Sequence, residues 1–372
     1  MKQIKPPPYT TRRTTAFDAE AARFYRERFV PLIRRRIKSH HLAGFRQSFI
    51  VDTVAENKRR FPYFLRTDIR LYYPNIRHSD IHLQTVMAYK KLLSLPRVPV
   101  EFERQSRTLC KRFFESLPSH KGLPLGNALS AILAPVILIP LWLEIRNRFS
   151  VPFIVFMDDI LLFARNERQV AELYEFLLIR LDEGYDLELN MEKTRSGRFA
   201  GTSFDFCGWH FGGGYARISD EKTKAFMERF TQGLCRDRGK PLRALIKNAN
   251  RRIDGFGHHY KYGSVGKQYE MLDKWIRRQM RMAIQGRNLH VSRTNSGLEQ
   301  LGLHSLDGIY RRNRRPTTEG RPLRPVRACN TAQPSTHLLS ASPNIELQLE
   351  RIAKQLDRVL ELLKKQNKLL EL

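Results

Sequence analysis

The sequence is short of cysteine: Cys110, Cys207, Cys235 and Cys329 are all that 372 residues hold, and no two of them form a CxxC pair. That spacing excludes a zinc ribbon and a disulfide framework, and it fits a reducing compartment, the cytoplasm. Acidic residues are scarce beside basic ones, 37 against 66, which leaves a formal net charge of +29. Basic residues spread along the chain, rather than on one amphipathic helix, point to a nucleic-acid partner before a membrane surface. Apolar runs of bilayer length are missing. The longest, 128-ALSAILAPVILIPLWL-143, is too short, carries two prolines and predicts a buried helix. No apolar segment follows the basic residues of MKQIKPPPYTTRR, so neither a secretory leader nor a membrane segment is expected. No internal repeat is visible.

What is present is an ordinary globular share of hydrophobic residues, 41%, enough for one large core or two to three modest ones. After a short β-prone stretch, 9-YTTRRTTAF-17, the pattern predicts a basic amphipathic helix over 18–37 with Asp18 as its N-cap. A strand is expected over 62-PYFLRTDIRLYY-73, ending at Pro74, then helices over 78–95 and 102–117. The loop 118-PSHKGLPLGNALS-130 leads into the apolar helix. A hairpin follows in 151-VPFIVFMDDILLFARNE-167, then a helix closed by Gly184, a strand pair at 187–189 and 204-FDFCGWHF-211 with a GGG turn, and basic helices from 220 to about 287. This order is α+β.

Composition shifts after Gly302. The segment 311–344 is rich in Arg, Pro, Ser and Thr without apolar periodicity and reads as a disordered basic linker. The last stretch, 345-IELQLERIAKQLDRVLELLKKQNKLLEL-372, repeats apolar residues by four and three, broken only at Gln366, which is a heptad seam. Leu at a with Ile or Val at d favours a trimer or tetramer over a dimer. The alternative is a terminal helix folded back on the body.

The hairpin carries the chemistry. Asp158 and Asp159 sit between two apolar strands, where turn chemistry favours Asn-Gly or Asp-Gly. Adjacent carboxylates there are costly unless a cation neutralises them, and Mg²⁺, a hard ion shared between carboxylates and phosphates, is the natural one. The strand 65-LRTDIRLYYPNI-76 offers Asp68 as a third carboxylate, completing a two-metal site for nucleotidyl transfer.

In succession, TDIRLYYPNI, KGLPLGNALS, FMDDILLF, LELNMEKTR and FDFCGWHF resemble motifs A to E of a reverse transcriptase, across residues 8–285. The nearest type is that of prokaryotic group II introns, diversity-generating retroelements and phage-defence systems. The resemblance implies a right-hand polymerase: reduced fingers over 1–60, a palm with an antiparallel sheet over 61–214, and a helical thumb over 215–300 like that of group II intron maturases. The linker 301–344 and the coiled coil 345–372 follow. It implies Asp68, Asp158 and Asp159 as ligands of two Mg²⁺ ions, with Mn²⁺ able to substitute, and Lys193 as the proton donor to pyrophosphate. Tyr73 matches the steric gate that favours deoxynucleotides. Gly122, Pro124, Leu125, Gly126, Asn127 and Ser130 match the loop that meets nucleotide and template, with Leu125 where most of the family has Gln. Phe206, Gly208 and Trp209 match the primer grip, with Cys207 replacing a more usual Leu, and Arg12 and Arg13 stand where an arginine would reach the triphosphate. His258 and His259 read as a polar turn between helices.

The function so implied is an RNA-directed DNA polymerase, using dNTPs to make a DNA product from a dedicated non-coding RNA. Its setting would be the bacterial cytoplasm, in antiphage defence or a domesticated retroelement, with accessory proteins admitted. Alternatives are a template- or primer-independent DNA polymerase and a catalytically idle RNA-binding scaffold. Deleting residues 345–372 is expected to lower the oligomeric state by mass photometry; an unchanged mass would refute the oligomerising role.

Overall fold

The structure is a computed structural model that describes residues 13–284 and 294–313, all within one of the two units into which the chain divides, Met1–Arg315. The expected β-prone stretch up to residue 12, the linker from 314 and the coiled coil 345–372 lie outside the described residues.

Thr15 Oγ1 accepts the Asp18 N–H at 3.1 Å and Asp18 Oδ2 accepts the Thr15 N–H at 2.9 Å, a reciprocal cap that starts α1 (Ala16–Arg36). The N-cap is therefore Thr15, and Asp18 is the third residue of the helix rather than its cap. Tyr25, Phe29 and Ile33, four residues apart, form the buried stripe of α1, which packs on α4 (His78–Leu93) and α6 (Ser130–Ile137). Next come α2 (Gln47–Asn57) and β1 (Tyr63–Asp68). β1 stops six residues before Pro74, short of the expected end, because Leu71 takes a left-handed backbone (φ 47°) and a single turn, α3 (Tyr72–Asn75), follows. The helices α4 (His78–Leu93) and α5 (Val100–Glu115) complete the N-terminal helical layer.

The apolar run forms two helices, α6 (Ser130–Ile137) and α7 (Ile139–Phe149), joined at Leu138. Ser130–Phe149 is apolar and long enough to cross a membrane, yet 78% of its apolar window is buried inside the fold. It packs against α1, α4 and α8 (Glu167–Tyr185) rather than facing outward.

That sheet is antiparallel with strand order β2-β3-β1-β4, from β2 (Phe153–Phe156), β3 (Asp159–Ala164), β1 and β4 (Arg195–Arg198). Ile160 to Ala164 are fully buried, as expected for a strand covered on both faces. Between β3 and β4 runs α8 (Glu167–Tyr185), which passes through Gly184 and ends at Asp186 (φ 54°). The expected strand at 187–189 is a single bridge, Ile69 to Leu189.

The sequence 204-FDFCGWHF-211 is itself a hairpin, not one strand: β5 (Phe204–Phe206) and β6 (Trp209–Gly212) turn through Cys207 (φ 50°) and Gly208 (φ 83°). Two left-handed residues in a two-residue loop match the right-handed twist of the strands. β7 (Tyr215–Ile218) pairs with β6, so this second sheet extends past the boundary expected at 214.

Then come α9 (Asp220–Arg236), α10 (Leu242–Tyr260), α11 (Gly266–Ile284), α12 (Asn295–Gln300) and α13 (Leu306–Asn313). His259 and its neighbour His258 lie in the last turn of α10 rather than in a turn between helices. The linker expected to begin at 301 is folded to at least 313. Asp273 on α11 accepts from Leu306 N–H at 2.8 Å, Asp307 N–H at 3.0 Å and Ser305 Oγ at 2.7 Å, capping α13 from another helix. Leu306 and Ile309 then bury completely, and Gly257 on α10 allows the approach, since a Cβ there would lie 2.8 Å from Ile309 Cδ1. Ile309→Ala is expected to cost about 2–4 kcal/mol of folding stability, measured by chemical denaturation; no change would mean that this segment does not dock.

Candidate active site

The β1–β3 register places Asp68 directly opposite Asp159, and the β2–β3 turn holds Asp158 beside it. Residues facing each other in an antiparallel pair project from the same face. All three carboxylates line one open cleft of about 670 Å³, together with Arg66, Lys193 and, from the second sheet, Asp205 and His210.

Two of the carboxylates have basic partners. Lys193 Nζ donates to Asp68 Oδ2 at 2.6 Å, and Arg66 donates to Asp159 Oδ1 at 2.9 Å. A second Arg66 nitrogen donates to the Lys193 carbonyl at 2.8 Å, so the two cations form one unit. Asp158 has no basic side chain within ion-pair distance among the described residues, and neither does the second oxygen of Asp68, which is buried without a hydrogen-bond partner. Burial, then the charge of Asp68, pushes the Asp158 carboxyl up from its usual range; a backbone hydrogen bond at Asp158 and the charges of Lys193 and Arg66 oppose this. Burial and the two neighbouring carboxylates push Asp159 up, against the pull of Arg66 and Lys193. The Lys193 ammonium is held above its ordinary range by its hydrogen bond to Asp68.

The expected metal triad does not form a ready ligand cluster. Among the described residues no three His, Cys, Asp or Glu side chains are gathered closely enough to hold an ion. Lys193 and Arg66 occupy two of the carboxylates instead, as compensation for like charges held together. The donor set nonetheless fits a hard cation: three carboxylates on one cleft, two of them resisting ionisation, and one buried oxygen without a partner.

Tyr73 sits beside the turn. Its hydroxyl donates to Met157 Sδ at 3.7 Å, and burial with the Asp158 charge pushes it up to about 12. Its carbonyl accepts the Leu123 N–H at 2.8 Å, which ties this segment to the 122–129 loop. In that loop Leu125 is 44% exposed and Gly126 is left-handed (φ 76°). Asn127, expected at the substrate, is held inside the fold in this structure. It is buried, its amide donates to Asp18 Oδ2 at 2.8 Å, and its carbonyl oxygen accepts the Leu129 N–H at 2.9 Å, so it joins the start of α1 to the loop and has no face for a substrate. Arg13 is exposed next to Thr14, whose hydroxyl accepts the Ala128 N–H at 3.0 Å, and Arg12 lies outside the described residues.

Phe206 and Trp209 are also placed differently from expectation. Both are core residues; the Trp209 indole donates to Gln47 Oε1 at 2.7 Å and meets the Tyr260 ring edge-on at 5.2 Å. Gly208 is required there, because a Cβ would come within 2.6 Å of the Tyr260 hydroxyl. The face that this hairpin turns toward the cleft carries Asp205 and His210, paired at 2.6 Å.

Sequence reasoning missed Arg66 and His41. The first lies two residues before Asp68, hence on the same strand face, a signal that period-two reading could have found. His41 left no such signal. Its Nδ1 accepts the N–H of Met157, a left-handed residue (φ 57°) just before Asp158, at 3.1 Å. Burial holds the His41 ring down to about 4, so it stays neutral and keeps that acceptor at physiological pH.

A raised carboxyl contributes stability in acid that is lost as pH rises through its folded value. At pH 7 without divalent cation, Asp158→Asn is therefore expected to raise the melting temperature by about 2–4 °C, an advantage that shrinks toward pH 4. Millimolar Mg²⁺ is expected to raise the wild-type melting temperature more than that of the variant. Identical melting of both proteins with and without Mg²⁺ would contradict this account.

The reverse transcriptase (RNA-dependent DNA polymerase) profile matches residues 24–211, and the group II intron maturase-specific domain profile matches residues 223–295. No curated protein matches the chain. Among solved structures it is similar to telomerase from Candida albicans in complex with the TWJ fragment of telomeric RNA, with 11% identity over 76% of this chain and 50% of that one, and a TM-score of 0.44. It is similar also to apo telomerase from Candida tropicalis, with 13% identity over 78% of this chain and 54% of that one, and the same TM-score, 0.44. The chain thus spans about half the length of these structures. The first profile runs from α1 through β6 and takes in Asp68, Asp158, Asp159 and Lys193, just over half of the sequence, and the chain belongs to the reverse transcriptase family.

Proposed function

We propose that this protein is an RNA-directed DNA polymerase that extends a 3′ end with deoxynucleotides. The observation that carries the reading is the Asp68–Asp159 register with Asp158 in the adjoining turn, within the family-matched segment. In the reaction the 3′-oxygen bonds to the α-phosphorus as the α–β bridging P–O bond breaks. The 3′-hydroxyl proton passes to solvent and pyrophosphate leaves.

Asp68, Asp158 and Asp159 would hold two divalent cations, most simply Mg²⁺, which when bound lower the charge of the triphosphate and of the attacking oxygen. Lys193 lies with its ammonium in the cleft, raised and protonated, and delivers a proton to pyrophosphate as it leaves Asp68. Tyr73, pinned between Met157 and the loop at Leu123, keeps its ring where a 2′-hydroxyl would collide, which selects dNTPs. The sheet β1–β4 is the palm, α1, α2, α4 and α5 the fingers side, and α9–α13 the thumb, whose basic helices follow the primer–template duplex. The template is a structured non-coding RNA, and the setting a bacterial defence or domesticated retroelement system in the cytoplasm.

Leu125 favours a second reading. Its exposed aliphatic side chain offers no hydrogen bond to a base pair, which suits synthesis with loose templating or none.

Primer extension separates these. Asp68→Asn and Asp158→Asn are each expected to lower incorporation by about 10³-fold with RNA affinity nearly unchanged, and Tyr73→Ala to admit ribonucleotides. Template-dependent product identifies the first reading and template-free product the second. Full incorporation by the Asp158 variant would remove the catalytic assignment.

A further inference from the structure

Three helices end around one open cleft, apart from the one lined by Asp158. The last turns of α1, α4 and α7 bring Arg36, Lys91, Arg146 and Arg148 around an open cleft of about 590 Å³, with Ser94 and Asn147 beside them. One cation at each helix end would satisfy the dipole. Here the cations exceed that need and face one another. Arg36 donates to Ser94 Oγ at 3.1 Å, Arg146 donates to the Arg36 carbonyl, and Arg148 lies against the rings of Phe149 and Phe176 at 5.4 and 5.1 Å. None of the four has a carboxylate within ion-pair distance among the described residues. Glu144, the one acid on the cleft wall, is taken by Arg180 at 3.0 Å.

We infer that this cleft is a second nucleic-acid site, one that grips the phosphate backbone of the structured RNA while another part of that RNA occupies the catalytic cleft. The inference rests on the polymerase reading for the identity of the nucleic acid. The two clefts share no lining residue. α7 ends at Phe149, and β2 then runs from Phe153 to the turn at Asp158, roughly 20 Å of extended chain. A nascent DNA strand starts too short to reach across that gap, whereas the template RNA is long from the outset. The chemistry suits a backbone and not a base: long exposed cations and two neutral donors for phosphate oxygens, with Phe149 and Phe176 already covered by Arg148. Anchoring the RNA here raises its local concentration at the catalytic cleft without any further contact there.

The test uses the full chain and the variant Lys91→Gln/Arg146→Gln/Arg148→Gln, checked for folding by thermal melting. Probes are a folded RNA of about a hundred nucleotides, a DNA of equal length, and a hairpin primer–template of about five base pairs, roughly 17 Å at about 3.4 Å per pair and so shorter than the gap between the clefts. Affinity for the long RNA is expected to fall at least tenfold, and its log–log salt slope to flatten by about 2. Extension of the short primer–template is expected to be unchanged. Unchanged long-RNA affinity overturns the inference. Equal loss on the short probe overturns it too, since the residues would then act through the catalytic cleft, and an equal loss for long DNA overturns the assignment to RNA. If the triple variant does not fold, Lys91→Glu, at an exposed helix end, decides by the same affinity and salt slope. A wild type that binds the long RNA through this cleft but extends no primer would refute the polymerase reading and leave the site standing.

Discussion

Repulsion across the β1–β3 pair is the constraint around which the rest is arranged. Asp68 faces Asp159, with Asp158 one residue further into the turn, on strands whose other side chains are almost all buried. Two like charges about 5 Å apart repel by roughly 3 kcal/mol at an effective dielectric of 20. Such a pair survives only if the scaffold cannot relax and cations are at hand. The scaffold is the buried β3, paired on both sides by β1 and β2 and covered by α8. The cations are Arg66 and Lys193, linked through the Lys193 carbonyl, so that displacing one loosens the other. Asn190 fixes the base of this arrangement: its N–H donates to the Asp68 carbonyl at 2.8 Å, and its side-chain oxygen caps the turn that presents Lys193.

The turn itself is held from the opposite side. Met157 adopts a left-handed backbone that costs a side-chain-bearing residue about 1–2 kcal/mol. His41 offsets this by accepting the Met157 N–H, and its ring stacks on His40 with centroids 4.8 Å apart. The Ser39 carbonyl accepts from Val155 N–H at 3.0 Å, which lays this stretch along the free edge of β2. The helical layer that precedes the sheet in sequence therefore sets the position of Asp158, and through the Met157 sulfur it also bears on Tyr73. A change in how α1 or the 39–43 turn is seated would be felt at the carboxylates.

Much of this was legible in the chain, for reasons that differ by residue. Asp68, Asp158 and Asp159 stand out because paired charge between apolar strands contradicts local propensity, and such conflicts mark sites. Tyr73 and Lys193 were reached only through family resemblance. At Phe206 and Trp209 the resemblance and the packing speak of different things: in FDF and WHF the alternation puts the aromatics on one face and Asp205 and His210 on the other, and the structure buries the aromatics accordingly. A polar loop residue such as Asn127 looks available until its partner, Asp18, over a hundred positions away, is known. The stretch 301–313 looked like linker because its arginines dominate the composition. The contact that folds it, Asp273 capping α13, is long-range and leaves no local trace.

The distribution of charge then explains a tension in the composition. The carboxylate cleft is lined by more acids than bases: Asp205, Asp220, Glu221 and Glu192 add to the three central carboxylates, against Arg66, Lys193 and Arg195. By itself that surface repels a polyanion. Nucleic acid can be brought to it only if cations elsewhere supply the attraction, because the groups that would hold the metal are the ones that oppose the backbone. A net charge of +29 is thus the counterpart of an acidic site. It works best where cations are concentrated away from the carboxylates, as around the open cleft where α1, α4 and α7 end. Near Asp158 the same cations would act as Arg66 and Lys193 do, neutralising the carboxylates before an ion could reach them.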